Sequence, residues 1–155
     1  VRRLDAIFSA CDALAASEGV EKIKTIGDAY MAVAGLDAAS AHDHPRRALR
    51  FALGVLDVVD DFNRAHGEAL SVRVGVHTGP VVAGVIGTSK FAYDVWGDTV
   101  NTASRMESHG VPGAVQVSEA TAERVRDAFT LDPRGAIEVK GKGPMRTFLA
   151  RRAGG

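Results

Sequence analysis

KFAYDVWGDTVNTASRMES, residues 90–108, is the stretch on which the reading of this chain turns. Its aromatic run, Phe91, Tyr93 and Trp96, suits a strand that is at least half buried. Gly97 breaks the run, and Asp98-Thr99 has the chemistry of a helix N-cap. Val100, Ala103 and Met106-Glu107 then recur at helical spacing and can face a core. Asn101 and Arg105 are four apart and share one helix face. Such a pair forms either the wet side of a surface helix or a grip for an anion, because a guanidinium donates two parallel hydrogen bonds to phosphate.

Outward from this stretch, the chain reads as alternating helices and strands. Leu4, Phe8, Cys11 and Leu14-Ala15 mark an amphipathic helix from Leu4 to about Ala16, ended near Gly19. Val20 to Gly35 reads as a hairpin with Gly27-Asp28 at its turn. Lys24 stands inside the first apolar strand, which a solvated sheet face or a functional role would explain equally. His42-Asp43-His44 cannot converge on a metal in extended chain, since neighbours point opposite ways. It is expected to cap the helix that Pro45 opens and that runs to about Ala65.

Leu70 to Val76 and Val81 to Ile86 are expected as two strands of a glycine-rich hairpin around His77-Thr78-Gly79-Pro80. Gly79 and Gly84 do not make a P-loop, because Val85-Ile86 stand where Lys and Ser or Thr would be needed. Ala114 to Val117 is a strand, Ser118 caps a helix through about Asp127, and Phe129–Leu131 and Gly135–Val139 are short strands. Lys140-Gly141-Lys142-Gly143-Pro144 is a basic loop, either a solvated turn or a phosphate-facing lid. Met145 to Ala150 closes the chain as a strand.

The 155 residues suit a single domain, 1–155, with its own core. Lys plus Arg and Asp plus Glu balance at 19 each, which argues against a general binder of nucleic acid or anionic membrane. The single Cys11 excludes an internal disulfide framework. No apolar run reaches the roughly 18 residues of a membrane span.

Four blocks, in order, resemble the class III nucleotidyl cyclases, the adenylyl and guanylyl cyclases. They are Glu21 to Asp28, Val74 to Val81, Tyr93 to Met106 and Val139 to Gly143. The resemblance implies an α+β fold, a ferredoxin-like palm whose antiparallel sheet is backed by helices. It implies an adenylyl cyclase making cyclic AMP and pyrophosphate from ATP. Lys24 and Asp94 match the family's purine-reading pair, and this combination suits adenine. Asn101 matches the residue that orients the ribose, and Arg105 the one that stabilises charge on the α-phosphate. Lys140 matches the lysine on the terminal phosphates. Asp28 matches one of two aspartates that hold two Mg2+ or Mn2+ ions.

The resemblance further implies a head-to-tail homodimer with shared active sites, and a cytoplasmic domain that itself touches neither membrane nor nucleic acid. The family's first block, with the other metal aspartate, has no counterpart and would lie before Val1. Val1-Arg2-Arg3-Leu4 enters a helical pattern directly, as a piece of a longer polypeptide would. The rival reading is a catalytically inactive cyclase-like module for dimerisation or nucleotide sensing.

Overall fold

The computed structural model describes residues 2–37, 42–87 and 92–154. Along the chain these form α1 (Arg2–Glu18), β1 (Glu21–Ile26), β2 (Ala29–Val33) and α2 (His44–His66). They continue with β3 (Val74–Val76), β4 (Val82–Ile86), β5 (Ala92–Trp96) and α3 (Asp98–Ser108). The last elements are β6 (Val115–Ser118), α4 (Glu119–Val125), β7 (Phe129–Val139) and β8 (Gly143–Arg152). The class is α+β, as expected. The strands fall into two hairpins, β1–β2 and β4–β5, and a four-stranded sheet ordered β3-β6-β8-β7.

The long helix α2 organises the interior because it is apolar on two faces. Leu49, Ala52 and Leu53 pack on Val115, Val117, Phe148 and Ala150 of the sheet, with Ala122 and Val125 of α4. On its other face Phe51, with Val55, meets Ala15 and Leu14 of α1 and Tyr30 and Ala32 of β2. One helix thus joins the β1–β2 hairpin to the sheet. Burying a large apolar side chain of this kind stabilises by about 1.5–3 kcal/mol.

Several sequence expectations change in the structure. The glycine-rich hairpin does not form: β3 pairs with β6 in parallel, and β4 pairs with β5 antiparallel. A parallel pair needs a long crossover, and the β4–β5 hairpin with α3 supplies it. Residues 70–73 fall outside β3; the Asn63 side chain takes both backbone groups of Leu70, accepting its N–H at 3.0 Å and donating to its carbonyl at 2.8 Å. Phe129 to Val139 is one strand, bulged between Pro133 and Gly135. β7 is the sheet's edge, where proline's missing donor is tolerated.

None of the three expected caps accepts a hydrogen bond from its helix through a side chain, and the N-cap of α3 is Gly97, not Asp98-Thr99, which already lie in the helix. Asp43 stands at the N-cap of α2, but its carboxylate accepts from Arg47 Nε at 2.8 Å. The Ser118 hydroxyl is spent on His77 Nδ1 at 2.6 Å. Lys90 and Phe91 lie outside the described residues. Tyr93 and Trp96 are exposed, not half buried, while Val95 between them is buried. Among the described residues β5 pairs with β4 alone, and exposed apolar side chains stand on both faces of this hairpin, Val82, Ile86 and Trp96 on one and Val85 and Tyr93 on the other. Among the described residues no helix is long and apolar enough to cross a membrane.

Candidate active site

Lys24 and Asp94 are 70 residues apart in sequence and touch in space: Nζ donates to Oδ2 at 2.8 Å. The register of β1 on β2 slips between Lys22 and Lys24, a bulge of the kind that re-aims a side chain. Asp94 comes from the middle of β5, opposite Gly84 of β4. Its other oxygen, Oδ1, accepts from the Val95 backbone N–H at 2.8 Å. The Asp94 carboxyl is therefore held below the usual carboxylate range, chiefly by the Lys24 hydrogen bond. The result is a donor and an acceptor side by side at the meeting of β1 and β5.

The sign of the pH dependence follows from this lowering. The pair's contribution to the folded state is complete above the ordinary aspartate value of about 3.9 and is lost as pH falls through the lowered folded value. A carboxyl NMR titration is expected to place Asp94 below that value in the native chain and higher in Lys24→Met. An unchanged midpoint in the variant would refute the assignment of cause.

Directly after β5, Gly97 takes φ 122°, a left-handed conformation that suits glycine, and turns the chain into α3. The buried stripe of α3 is Thr99, Thr102 and Met106, offset from the expected Val100, Ala103, Met106 stripe. Gly75 of β3 sets this orientation. A Cβ on Gly75 would come 2.2 Å from the Glu107 backbone nitrogen and 2.7 Å from the Ala103 carbonyl oxygen. Only glycine lets β3 and α3 approach so closely. Thr99 pins the other end by donating to the Pro80 carbonyl at 2.6 Å. Asn101 and Arg105 are left exposed on the outer face, as their spacing predicts.

Lys140 is exposed in the turn between β7 and β8. Two residues on, Lys142 Nζ meets Asp98 Oδ2 at 2.6 Å, so this basic turn is clasped to the first turn of α3. Sequence reading missed the clasp; the signal was a second lysine between two glycines, opposite an acidic helix start. His77 lies close by and is held below its ordinary value, first by burial and then by the Lys142 charge. Its hydrogen bond to Ser118 ties the end of β3 to the end of β6.

Asp28 sits exposed in the β1–β2 turn. The structure brings Lys24 to Asp94. It joins none of Asp28, Asn101, Arg105 and Lys140 to another of these site residues by a side-chain hydrogen bond or ion pair among the described residues. A divalent cation of this class takes about six oxygen ligands. Among the described residues no group of three or more His, Cys, Asp or Glu could hold a metal, so Asp28 alone does not make the two-ion site.

The family profile of the adenylate and guanylate cyclase catalytic domain matches residues 1–151. This chain belongs to the class III nucleotidyl cyclases. The cyclase domain is 49% identical over 148 residues to an adenylate cyclase of Mycobacterium tuberculosis, covering 96% of this chain and 33% of the relative. The chain thus spans about a third of the length of that curated relative.

Among solved structures, the guanylate cyclase domain of RhGC from Catenaria anguillulae, in complex with GTP, superposes with a TM-score of 0.89 at 40% identity. That match covers 96% of this chain and 81% of the other. The catalytic core of a rhodopsin-guanylyl cyclase with converted specificity, in complex with ATPαS, gives 0.89 at 40%, covering 98% and 84%. Relatives named for both nucleotides thus share this cyclase fold.

Proposed function

We propose that the domain is an adenylyl cyclase, forming 3′,5′-cyclic AMP and pyrophosphate from ATP. The observation that carries this reading is the Lys24–Asp94 pair, a donor held 2.8 Å from an acceptor. Lys24 Nζ would donate to adenine N1 and Asp94 accept from the exocyclic amine. Guanine presents a carbonyl and a ring N–H at those places. Misread polar groups are left unpaired, which is where strong discrimination comes from. The mycobacterial relative's name and the ATPαS complex of a guanylyl cyclase with converted specificity support the same choice.

In this reading the ribose 3′-oxygen bonds to the α-phosphorus, and the bond from that phosphorus to the bridging oxygen of pyrophosphate breaks. The hydroxyl proton leaves with the products. Asn101 orients the ribose, Arg105 meets the charge that grows on the α-phosphate, and Lys140 holds the terminal phosphates. Divalent Mg2+ or Mn2+ enters the proposal through Asp28, with further ligands required from outside the described residues.

The working unit is proposed to be a head-to-tail homodimer with two shared sites. Its support is the exposed apolar side of the site. Ile26 of β1 and Val82, Val85, Ile86, Tyr93 and Trp96 of the β4–β5 hairpin all face solvent, Val85 at 62%. Large apolar side chains left exposed together on one hairpin mark an interaction surface. A dimer also accounts for site residues that do not meet within one chain, because a partner would complete each site.

The test is product formation by the full-length protein from ATP and from GTP, with manganese. Cyclic AMP as the main product is the expected result. Lys24→Glu combined with Asp94→Cys is expected to lower ATP turnover by about 10²-fold or more, since it inverts the hydrogen-bond pattern. Unchanged ATP turnover in that variant would end the base-reading assignment. The lone Asp28 favours a second reading, an inactive cyclase-like module; a folded dimer that yields no cyclic product from either nucleotide would establish it.

A further inference from the structure

We infer that Arg134 is a positioning residue for the reaction, bracing the C-terminal end of α3 and thereby fixing where Arg105 stands. The inference rests on the cyclase reading above. It starts from the bulge in β7: Pro133 pairs with Phe148 and Gly135 with Thr147, which leaves Arg134 as the extra residue. A bulge bends its strand and turns the unpaired side chain in a new direction. Here Arg134 reaches α3. Its Nη1 donates to the His109 carbonyl and to Gln116 Oε1, each at 2.5 Å.

Gln116 of β6 is fully buried and passes the contact on, its Nε2 donating to the Met106 carbonyl at 3.0 Å. His109, the C-cap of α3, donates its own N–H to the Arg105 carbonyl at 3.0 Å. The last carbonyls of a helix have no partner within it, so partners from outside decide how firmly that end is held. Arg134 and Gln116 occupy two of these carbonyls, and Arg105 lies one residue before the first of them. Gly75 seats α3 from below; the Arg134–Gln116 pair stops it sliding or fraying. Arg134 itself is exposed, so its replacement leaves the core side chains in place.

Hydrogen exchange and steady-state kinetics on the full-length protein test the idea together. In Arg134→Met the amides of residues 105–110 are expected to exchange faster, while those of β8 paired with β7 keep their protection. The same variant is expected to lose about tenfold in kcat with KM within about twofold, as misplacement of a catalytic group costs rate more than binding. Arg134→Lys is expected to restore most of both, because an ammonium has donors for both acceptors. Unchanged exchange at 105–110 would overturn the brace. Faster exchange with unchanged kcat would overturn the positioning role. A kcat loss that accompanies lost protection across β7–β8 would overturn it too, in favour of general unfolding. An unmodified protein that makes no cyclic product would overturn the cyclase reading instead, and the exchange measurement would still decide the brace.

Discussion

Arg105→Ala is expected to lower cyclic nucleotide formation by about 10²–10³-fold, the usual cost of removing one donor aimed at transition-state charge. Its affinity for the triphosphate should change far less, because the charge that Arg105 is proposed to meet exceeds the ground-state charge only as the 3′-oxygen approaches phosphorus. Arg105 is exposed and, among the described residues, its side chain makes no hydrogen bond or ion pair, so thermal stability should hold within about 0.5 kcal/mol. Rate, nucleotide affinity and melting temperature, taken together, separate this role from a merely solvated helix face. A rate within threefold of the unmodified protein would return Arg105 to that simpler description.

Gly75→Ala is expected to be the most damaging single methyl group that can be added to this domain. Its Cβ would sit 2.2 Å from one backbone atom of α3 and 2.6 Å from another, and backbone cannot rotate away as a long side chain can. Forcing methylenes into a packed interior costs about 1–3 kcal/mol, and a clash with main chain belongs at or above the top of that range. At about 2–4 °C per kcal/mol for a chain of this size, melting should fall by about 6–12 °C. Turnover should fall further than the loss of folded protein explains, because α3 carries Asn101 and Arg105. Gly67→Ala is a fitting control. It replaces the left-handed C-cap of α2, at φ 62°, where a Cβ meets no atom within 4 Å. It should cost stability without a separate loss in turnover. Equal turnover per folded molecule in both variants would sink the claim that Gly75 sets the helix.

Much of this architecture was legible in the residues, and the parts that were not share a cause. Helices α1 and α2 and the β1–β2 hairpin follow from period and turn chemistry, which are local properties. The partner of β3 does not: Val74-Gly75-Val76 is equally a hairpin strand or a parallel one, and the choice depends on what packs across 40 residues of chain. β7 looked like two strands because Pro133 and Gly135 interrupt it, yet an edge position with a bulge absorbs both. The resemblance to the cyclases picked out Lys24 and Asp94, and the structure sets them 2.8 Å apart. Arg134 and Gln116 carry no motif of their own, and the Lys142–Asp98 clasp joins two of the quoted blocks without either one announcing the contact. Their meaning lies in what they touch.

One consequence follows from the hydrogen bond between Lys24 and Asp94. The ammonium and the carboxylate neutralise each other before any ligand arrives, so the edge of the site proposed to face the base offers no net charge from this pair. Dissolved ions screen exposed charges within about 10 Å at 0.1 M. Ionic strength should therefore weigh on the proposed phosphate end of a bound nucleotide, where Lys140 and Arg105 make no ion pair among the described residues, and hardly on the proposed recognition of the base. Selectivity between nucleobases is in that sense expected to be insulated from the salt content of the solution, even where overall affinity is not.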